Sequence, residues 1–527
     1  MPITPRVART ARRGAVALAS ALLVVVPGCT DLTENPESAV TPENYYRTSE
    51  EVIGGLAAVY AQLRSTLWNY YNLSEVSTDE FVVPTRGSDW YDNGRWLEIH
   101  RQTWEPASAT GLEDINGAWV ESFTGIARAN LLLAALENVA VAQKDIVIAE
   151  IRTLRAFYYY TLMDMFGNVP IVTDVEIKQR APNTRAEVFA FIEDELLEAR
   201  DDLPPSWSAS MNGRLTKGAA EAILANMYLN AQVFTGTVTA TGLQPGPARW
   251  QDAIDAVDRI LALGVYSLPT DWKANFRADN HLSPETIMAI KYAPVPGIGF
   301  EMVYRGLHYN QTTPTPWNGF STIAETYYAF DTASVAANGI LTSNDQRHDI
   351  FLDGPQVNVQ TGLPITDREG TPLFYTPTIG DVTQARENEG VRVYKWPEDP
   401  NHSGQWHGND YAYFRLAEMY LIKAEALNEL NQTGAAVTLV NTLRARVFEP
   451  DRPLTGTFTQ ASFRDRILRE RLNELTAESK RRQDLIRHGK YLLPWSFKEQ
   501  REAHRILFPI PQTQIDANPM LVQNPGY

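Results

Sequence analysis

The chain has 527 residues, 44% of them hydrophobic, with 63 acidic against 47 basic side chains and a formal net charge of −16. That balance repels nucleic acid phosphates, which argues against a nucleic acid partner. The single cysteine, Cys29, excludes an intramolecular disulfide, a Cys-based zinc cluster and a CxxC redox pair.

Arg6, Arg9, Arg12 and Arg13 precede an apolar run, Ala15 to Val26, that is too short to span a bilayer as a mature helix, so the N-terminus reads as a secretory signal. The run closes on Val26-Pro27-Gly28-Cys29 and turns polar at Thr30-Asp31, the arrangement of a bacterial lipobox. Residues 1–28 are then a lipoprotein signal peptide, Cys29 carries the lipid, and residues 29–48 form a tether and extended start. Each buried methylene contributes ~0.8 kcal/mol, so two or three acyl chains anchor a protein stably. Removing residues 1–28 takes four arginines and no acid, which leaves a net charge of −20. No later stretch offers 18 consecutive apolar residues, so the body is expected to be held by its lipid alone.

Residues 49–527 are expected to form one helical domain. Ser49 caps a helix to about Ser65, with Val52, Leu56, Val59 and Leu63 on one face, and Leu112 to Val139 repeats that spacing. A further stripe, Ile151 to Met165, stops at Gly167, and Thr184-Arg185-Ala186-Glu187 is a capping box for a helix ending near Leu203. Ala219–Ala231 with Trp250–Leu263, and Glu418–Leu430 with Ala435–Val447, read as alanine-rich helix pairs of the tetratricopeptide type without a strict period. The fold expected is all-α, with long irregular insertions at about 67–106 and 265–410 and a few short strands such as Thr286–Tyr292 and Val391–Lys395. Insertions this long point to function.

Catalytic patterns are missing: there is no GxSxG, HExxH, GxxxxGK[ST] or GxGxxG. His402 and His407 read as solvated loop histidines, and no metal site or cofactor is expected. Structural calcium on the acidic surface is left open. Glu470, Glu474 and Glu478 with Arg471, Arg481, Arg482 and Arg487 read as an ion-pair lattice along packed helices. The segment 67–106 interleaves Trp68, Tyr70, Tyr71, Trp90, Tyr91, Trp96 and Trp104 with Asp79, Glu80, Arg86, Asp89, Asp92, Asn93 and Arg95. Flat rings beside planar hydrogen-bonding groups suit a sugar, whose C–H face packs on a ring while its hydroxyls need donors and acceptors. Trp317, Asn318, Tyr327 and Tyr328 form a weaker second wall; Trp119 and Trp250 lie on helical stripes and read as core.

Several motifs in order resemble the SusD/RagB outer-membrane lipoproteins. They are the lipobox with its Asp-Leu start, Glu150–Tyr160 leading to Phe166–Pro170, Arg214–Ala220, Tyr413–Ala426, Glu470–Leu475, Asp484–Arg487, Leu507–Pro511 and Asn524–Tyr527. The resemblance implies four tetratricopeptide-like helix pairs under a loop-rich face. It implies a non-catalytic lid on the extracellular side of the outer membrane, lipid-anchored, that captures oligosaccharide or sometimes peptide for a SusC-like TonB-dependent transporter. It also places the binding site after the first helix, at Arg86, Trp90, Tyr91, Asn93 and Trp96, with Trp317 opposite. Ser479, where the family usually has Gly, and Arg482-Gln483, in place of an aromatic pair, depart from its pattern. Two other readings are a tetratricopeptide-type surface protein that binds peptide or protein, and a surface glycoside hydrolase.

Overall fold

The computed structural model describes residues 46–527, so the signal peptide, Cys29 and nearly all of the tether lie outside the described residues. Four pairs of helices form the scaffold. α1 (Ser49–Val76) starts on a capping box in which Thr48 Oγ1 accepts from the Glu51 N–H while the Glu51 carboxylate accepts from the Thr48 N–H. It packs on α2 (Asn116–Leu136). The next pairs are α3 (Lys144–Phe166) with α4 (Arg185–Ala199), α5 (Lys217–Leu229) with α6 (Trp250–Ala262), and α7 (Leu416–Glu429) with α8 (Thr433–Arg444). α9 (Gln460–Leu475) packs on the last pair and leads to the short α10 (Arg481–Arg487).

Small residues set the pairing distances. Ala219, Ala220, Ala222 and Ala225 of α5 and Ala253 and Ala256 of α6 are fully buried. At Gly125 in α2 a Cβ would sit 2.5 Å from the Tyr158 ring of α3, so the ring lies on bare backbone. Among the described residues one buried apolar cluster runs from Val52 to Leu521, and no helix is long and apolar enough to cross a membrane.

The long insertion is closed at its root by strands. β2 (Thr286–Ile290) pairs antiparallel with β4 (Tyr411–Arg415), Ile290 opposite Tyr411, and β4 runs straight into α7. β4 was not anticipated because all of its residues are buried, which removes the alternation that marks a half-exposed strand. Higher up, β1 (Phe81–Val82) pairs with β3 (Ser321–Thr322) and so joins the two insertions. Val391–Lys395 shortens to a two-residue strand, Arg392–Val393, against Phe351–Leu352.

The first insertion is shorter than expected. α1 does not stop near Ser65 but continues to Val76, because Leu67, Tyr70, Leu73 and Val76 extend its buried stripe. Tyr70 donates to Asp164 at 3.1 Å, Tyr71 packs against Tyr411, and the fully buried Trp104 donates to Tyr527 at 2.8 Å. These three aromatics serve the core.

Glu470 and Glu474 of α9 and Glu478 in the turn after it do form an ion-pair lattice, with partners drawn mostly from distant segments. Glu474 meets Arg347 at 3.1 Å, Arg415 at 2.7 Å and Arg446; Glu470 meets Arg347 and Arg444; Glu478 meets Arg415 and Lys395. Glu285 closes the group by pairing with Arg415 at 2.8 Å and Arg446 at 2.7 Å. All of these side chains are buried or nearly so.

The departures from the family pattern are accommodated in the turn after α9. Ser479 has φ +59, a conformation that favours glycine, and is held there by its Oγ bond to Tyr411 at 2.9 Å and by its N–H donating to Glu75. Arg482 pairs with Asp164 at 3.0 Å, and the Gln483 amide donates to Tyr160 at 2.7 Å. Burial raises Glu75 to about 7 and Glu80, beside it, well above the usual carboxyl range. A raised folded-state value makes the folded protein hold a proton the unfolded chain releases, so this contribution to stability is lost as pH rises from 4.5 towards 7. Glu75→Gln removes it, and the stability difference between variant and wild type should shift in favour of the variant by roughly 3 kcal/mol across that window. Thermal melts at pH 4.5, 6 and 7.5 measure this; a constant difference at all three would refute it.

Candidate functional site

The β1–β3 pairing brings the coil at 86–94 against residues 317–320. Trp90 (φ +63), Asp92 (φ +38), Asn93 (φ +55) and Gly94 (φ +85) form a tight left-handed run into the short helix Arg95–Arg101. This folds the Trp90 indole back, so that its Nε1 donates to the Trp317 carbonyl at 2.6 Å. Gly319 makes room, since a Cβ there would lie 2.4 Å from the Trp90 ring.

The accessible rings are Tyr91, 60% exposed, Trp68, 36% exposed, and the half-buried Trp90 and Trp317. Trp317 meets Trp68 edge to face at 6.4 Å and Tyr304 at 6.5 Å. Behind Trp68 the guanidinium of Arg305 lies 3.9 Å from the ring centroid, and Arg305 donates to Asn72 at 2.6 Å, which donates to Asp114 at 3.0 Å. Burial pulls Arg305 down to about 10, so it stays charged at neutral pH. A desolvated cation–π contact is worth ~2 kcal/mol and holds the Trp68 indole in one orientation.

The sequence-predicted residues divide. Trp90 and Trp317 border this aromatic platform, and the exposed Tyr91 and Asn93 follow Trp90 on the same coil. Trp96 does not: it is 3% exposed, donates to Asp92 at 2.8 Å, and packs edge-on against Trp90 at 5.4 Å and Phe320 at 5.4 Å, so it supports Trp90 from within. Arg86 is also buried, its Nη2 donating to Ser321 Oγ and the Glu389 carbonyl at 2.9 Å each. Of the weaker second wall only Trp317 remains on the platform. Asn318 is buried and accepts from Arg392 at 2.9 Å, and Tyr327 is fully buried. The sequence places Trp68 in the aromatic segment 67–106 without singling it out from the other rings, and gives no sign of Arg305, whose aromatic partners are far away in the chain.

Carboxylates around the platform are committed. Asp89 accepts from Tyr309 at 2.6 Å and pairs with Arg368 at 3.2 Å; Asp92 holds Trp96; Asp114 holds Asn72. The histidines differ from expectation. His407 is fully buried, stacked on His402 at 5.1 Å and packed against Tyr304, and its burial with His402 nearby pushes it down to about 4. Glu398, His402 and His407 bring potential ligand atoms within 4.8 Å of one another. Their hydrogen bonds give the two rings different protonation: His407 Nδ1 accepts from the Asp399 N–H at 3.1 Å, which puts its proton on Nε2, while His402 Nδ1 donates to the Gly404 carbonyl at 2.6 Å and leaves Nε2 to accept from the Gln360 amide at 3.2 Å.

Residues 221–498 match the sequence model of the SusD family, and residues 38–229 match a second model described as "Starch-binding associating with outer membrane". The chain belongs to the SusD/RagB family. A SusD-like protein of Formosa agariphila is 24% identical over 94% of this chain and 96% of its own length. The starch-binding protein SusD of Bacteroides thetaiotaomicron is 24% identical, with 87% of this chain and 85% of that protein covered. The fold is shared with solved structures, among them surface glycan-binding protein A from Bacteroides thetaiotaomicron in complex with laminarihexaose, with a TM-score of 0.67 and 20% identity over 90% of this chain and 99% of that one. The SusD/RagB assignment accounts for the helical scaffold with few short strands found here.

Proposed function

We propose that this SusD/RagB protein is a cell-surface, lipid-anchored binder that captures oligosaccharide on the extracellular side of the outer membrane and passes it, unaltered, to a SusC-like TonB-dependent transporter. The observation that carries the reading is the aromatic platform where the two insertions meet, with Trp68, Trp90 and Trp317 accessible and held by the indole-to-carbonyl bond and by Arg305, and with the exposed Tyr91 next to Trp90 in the chain. Rings held rigidly present a stacking surface with little ordering cost on binding. Relatives whose names state starch or laminarin binding support the same ligand class. Lipidation at Cys29 supplies the anchor in this reading.

Binding without chemistry fits the surroundings of the nearby carboxylates: Asp89 is engaged by Tyr309 and Arg368, Asp92 by Trp96, and Asp114, whose carboxyl burial pushes up, is 1% exposed beneath Asn72 and out of a ligand's reach. The test is calorimetry of the purified mature protein with a panel of oligosaccharides and peptides, followed by chromatography of the mixtures after prolonged incubation. Saccharide binding with intact sugar is expected. Released product would make the protein a hydrolase, and affinity for peptides alone would make it a peptide binder.

A further inference from the structure

Beside the Arg86–Asp89 turn lies a cavity of ≈ 670 Å³, lined by Arg86, Arg368, Arg386, Asp367, Glu369 and Glu387 among others. The six side chains named balance in formal charge, but they are not equally available. Arg368 is paired with Glu387 and Asp89, and Glu387 also meets His308 at 2.9 Å. Asp367 Oδ1 accepts the N–H groups of Glu369 and Thr371 at 3.0 and 2.8 Å.

The buried, unpaired charge at this cavity is positive. Arg86 is 1% exposed, and among the described residues its guanidinium donates only to Ser321 Oγ and the Glu389 carbonyl, leaving Nε and Nη1 without a partner. Arg392, fully buried, donates to the same Glu389 carbonyl at 2.9 Å and otherwise to the carbonyls of Glu387 and Gly390 and the Asn318 amide oxygen. Two buried guanidinium groups thus share one acceptor and neither forms an ion pair among the described residues. Both remain cationic, since arginine does not lose its proton in a protein. At the mouth, Arg386 is exposed, and among the described residues its guanidinium also has no partner. Among the described residues, the acids of the lining that form no ion pair are the exposed Glu369 and the partly buried Asp367, whose carboxylate is held by backbone N–H groups alone. Leaving buried charge without a counter-ion costs several kcal/mol, a cost that an incoming anion would offset.

We propose that this cavity is a subsite for an oxyanion carried by the glycan, a uronate carboxylate or a sulfate ester, next to the sugar rings held on the platform. The proposal rests on the glycan-binding reading above and deepens it by naming the charge class of the ligand. Arg386 makes the direct contact at the rim, while Arg86 in the lining and Arg392 behind it, which shares the Glu389 carbonyl, supply positive potential from within. In a chain whose net charge is −16, a local cationic cavity admits a glycan bearing spaced anionic groups, and the surrounding field discourages a dense polyanion.

Calorimetry with two matched pairs tests it: a tetragalacturonate against its methyl ester, and a sulfated galactan oligosaccharide against its desulfated form. At least a tenfold preference for the charged member of one pair is expected at 50 mM NaCl, shrinking at 500 mM, and the pair that shows it distinguishes carboxylate from sulfate. Arg386→Glu, on the exposed rim and outside the platform, should abolish that preference and leave the neutral member's affinity unchanged. Equal affinity within both pairs, or a preference that survives Arg386→Glu, overturns the subsite while neutral binding upholds the platform. Failure of every saccharide to bind overturns both.

Discussion

Trp317→Ala is expected to weaken oligosaccharide binding by roughly 30-fold, the equivalent of ~2 kcal/mol for losing a central aromatic anchor. Trp317 is the ring through which the platform is joined: it meets Trp68 and Tyr304 edge to face, and its carbonyl anchors Trp90. Because that anchoring bond uses the backbone, alanine keeps it. The substitution therefore removes the stacking surface while the Trp90 coil stays in place, and a half-buried side chain is a modest loss to folding. Trp96→Ala would be a poor test of the same idea. At 3% exposure it is a core residue, and its truncation should cost ~3–5 kcal/mol of stability before it says anything about ligand. The informative measurement pairs calorimetric affinity with a melting curve for Trp317→Ala and Tyr91→Ala. Unchanged affinity in both, with melting temperatures intact, would remove the platform as the binding site.

How much of this was legible beforehand depends on the range over which each feature is decided. The helix pairs rest on short-range signals: the capping box at Thr184, the alanines of α5, the stripe of α3 ending at Gly167 with φ +72, and a cap at the head of α1 that falls at Thr48, one residue before the Ser49 expected. Such signals survive in one sequence. α1 was misjudged because a tryptophan and two tyrosines in succession with asparagines look like a decorated loop, and only the partners Asp164 and Tyr411 from later in the chain show that two of the three rings are core. The site failed in the same way at single residues. Trp90 and Trp96 have equivalent surroundings in the sequence, and it is Phe320, arriving through the β1–β3 pairing, that packs against both while leaving Trp90 half exposed and Trp96 covered. Arg305 had no local signature at all, since Trp68, Tyr71 and Phe320, the three rings around it, come from α1 and from past the next coil.

The second large effect is expected far from the platform. Glu474→Ala should cost ~3–5 kcal/mol, because it leaves the guanidinium groups of Arg347, Arg415 and Arg446 short of a buried partner. Burial alone would raise the Glu474 carboxyl, but Arg446, Arg415 and Arg347 together hold it well below the usual range. The sign follows: a depressed folded-state value contributes stability that is present above the unfolded value near 4.5 and lost as pH falls towards the folded value. Wild type should thus lose stability on acidification from this source and Glu474→Ala should not, so the gap between them narrows below pH 4.5. The location matters for function. Arg347 and Arg415 belong to the long insertion and its closing strand β4, Arg446 follows α8, and Glu474 sits on α9, so one carboxylate ties the root of the insertion that carries Trp317 to the helical scaffold. Loosening that root should raise hydrogen exchange across residues 345–350 and 411–415 before the helix pairs α1–α2 and α3–α4 respond. Denaturant titration and exchange measured together decide the matter. A loss below ~1 kcal/mol would mean that the arginines find other partners and that the root is held by apolar packing instead.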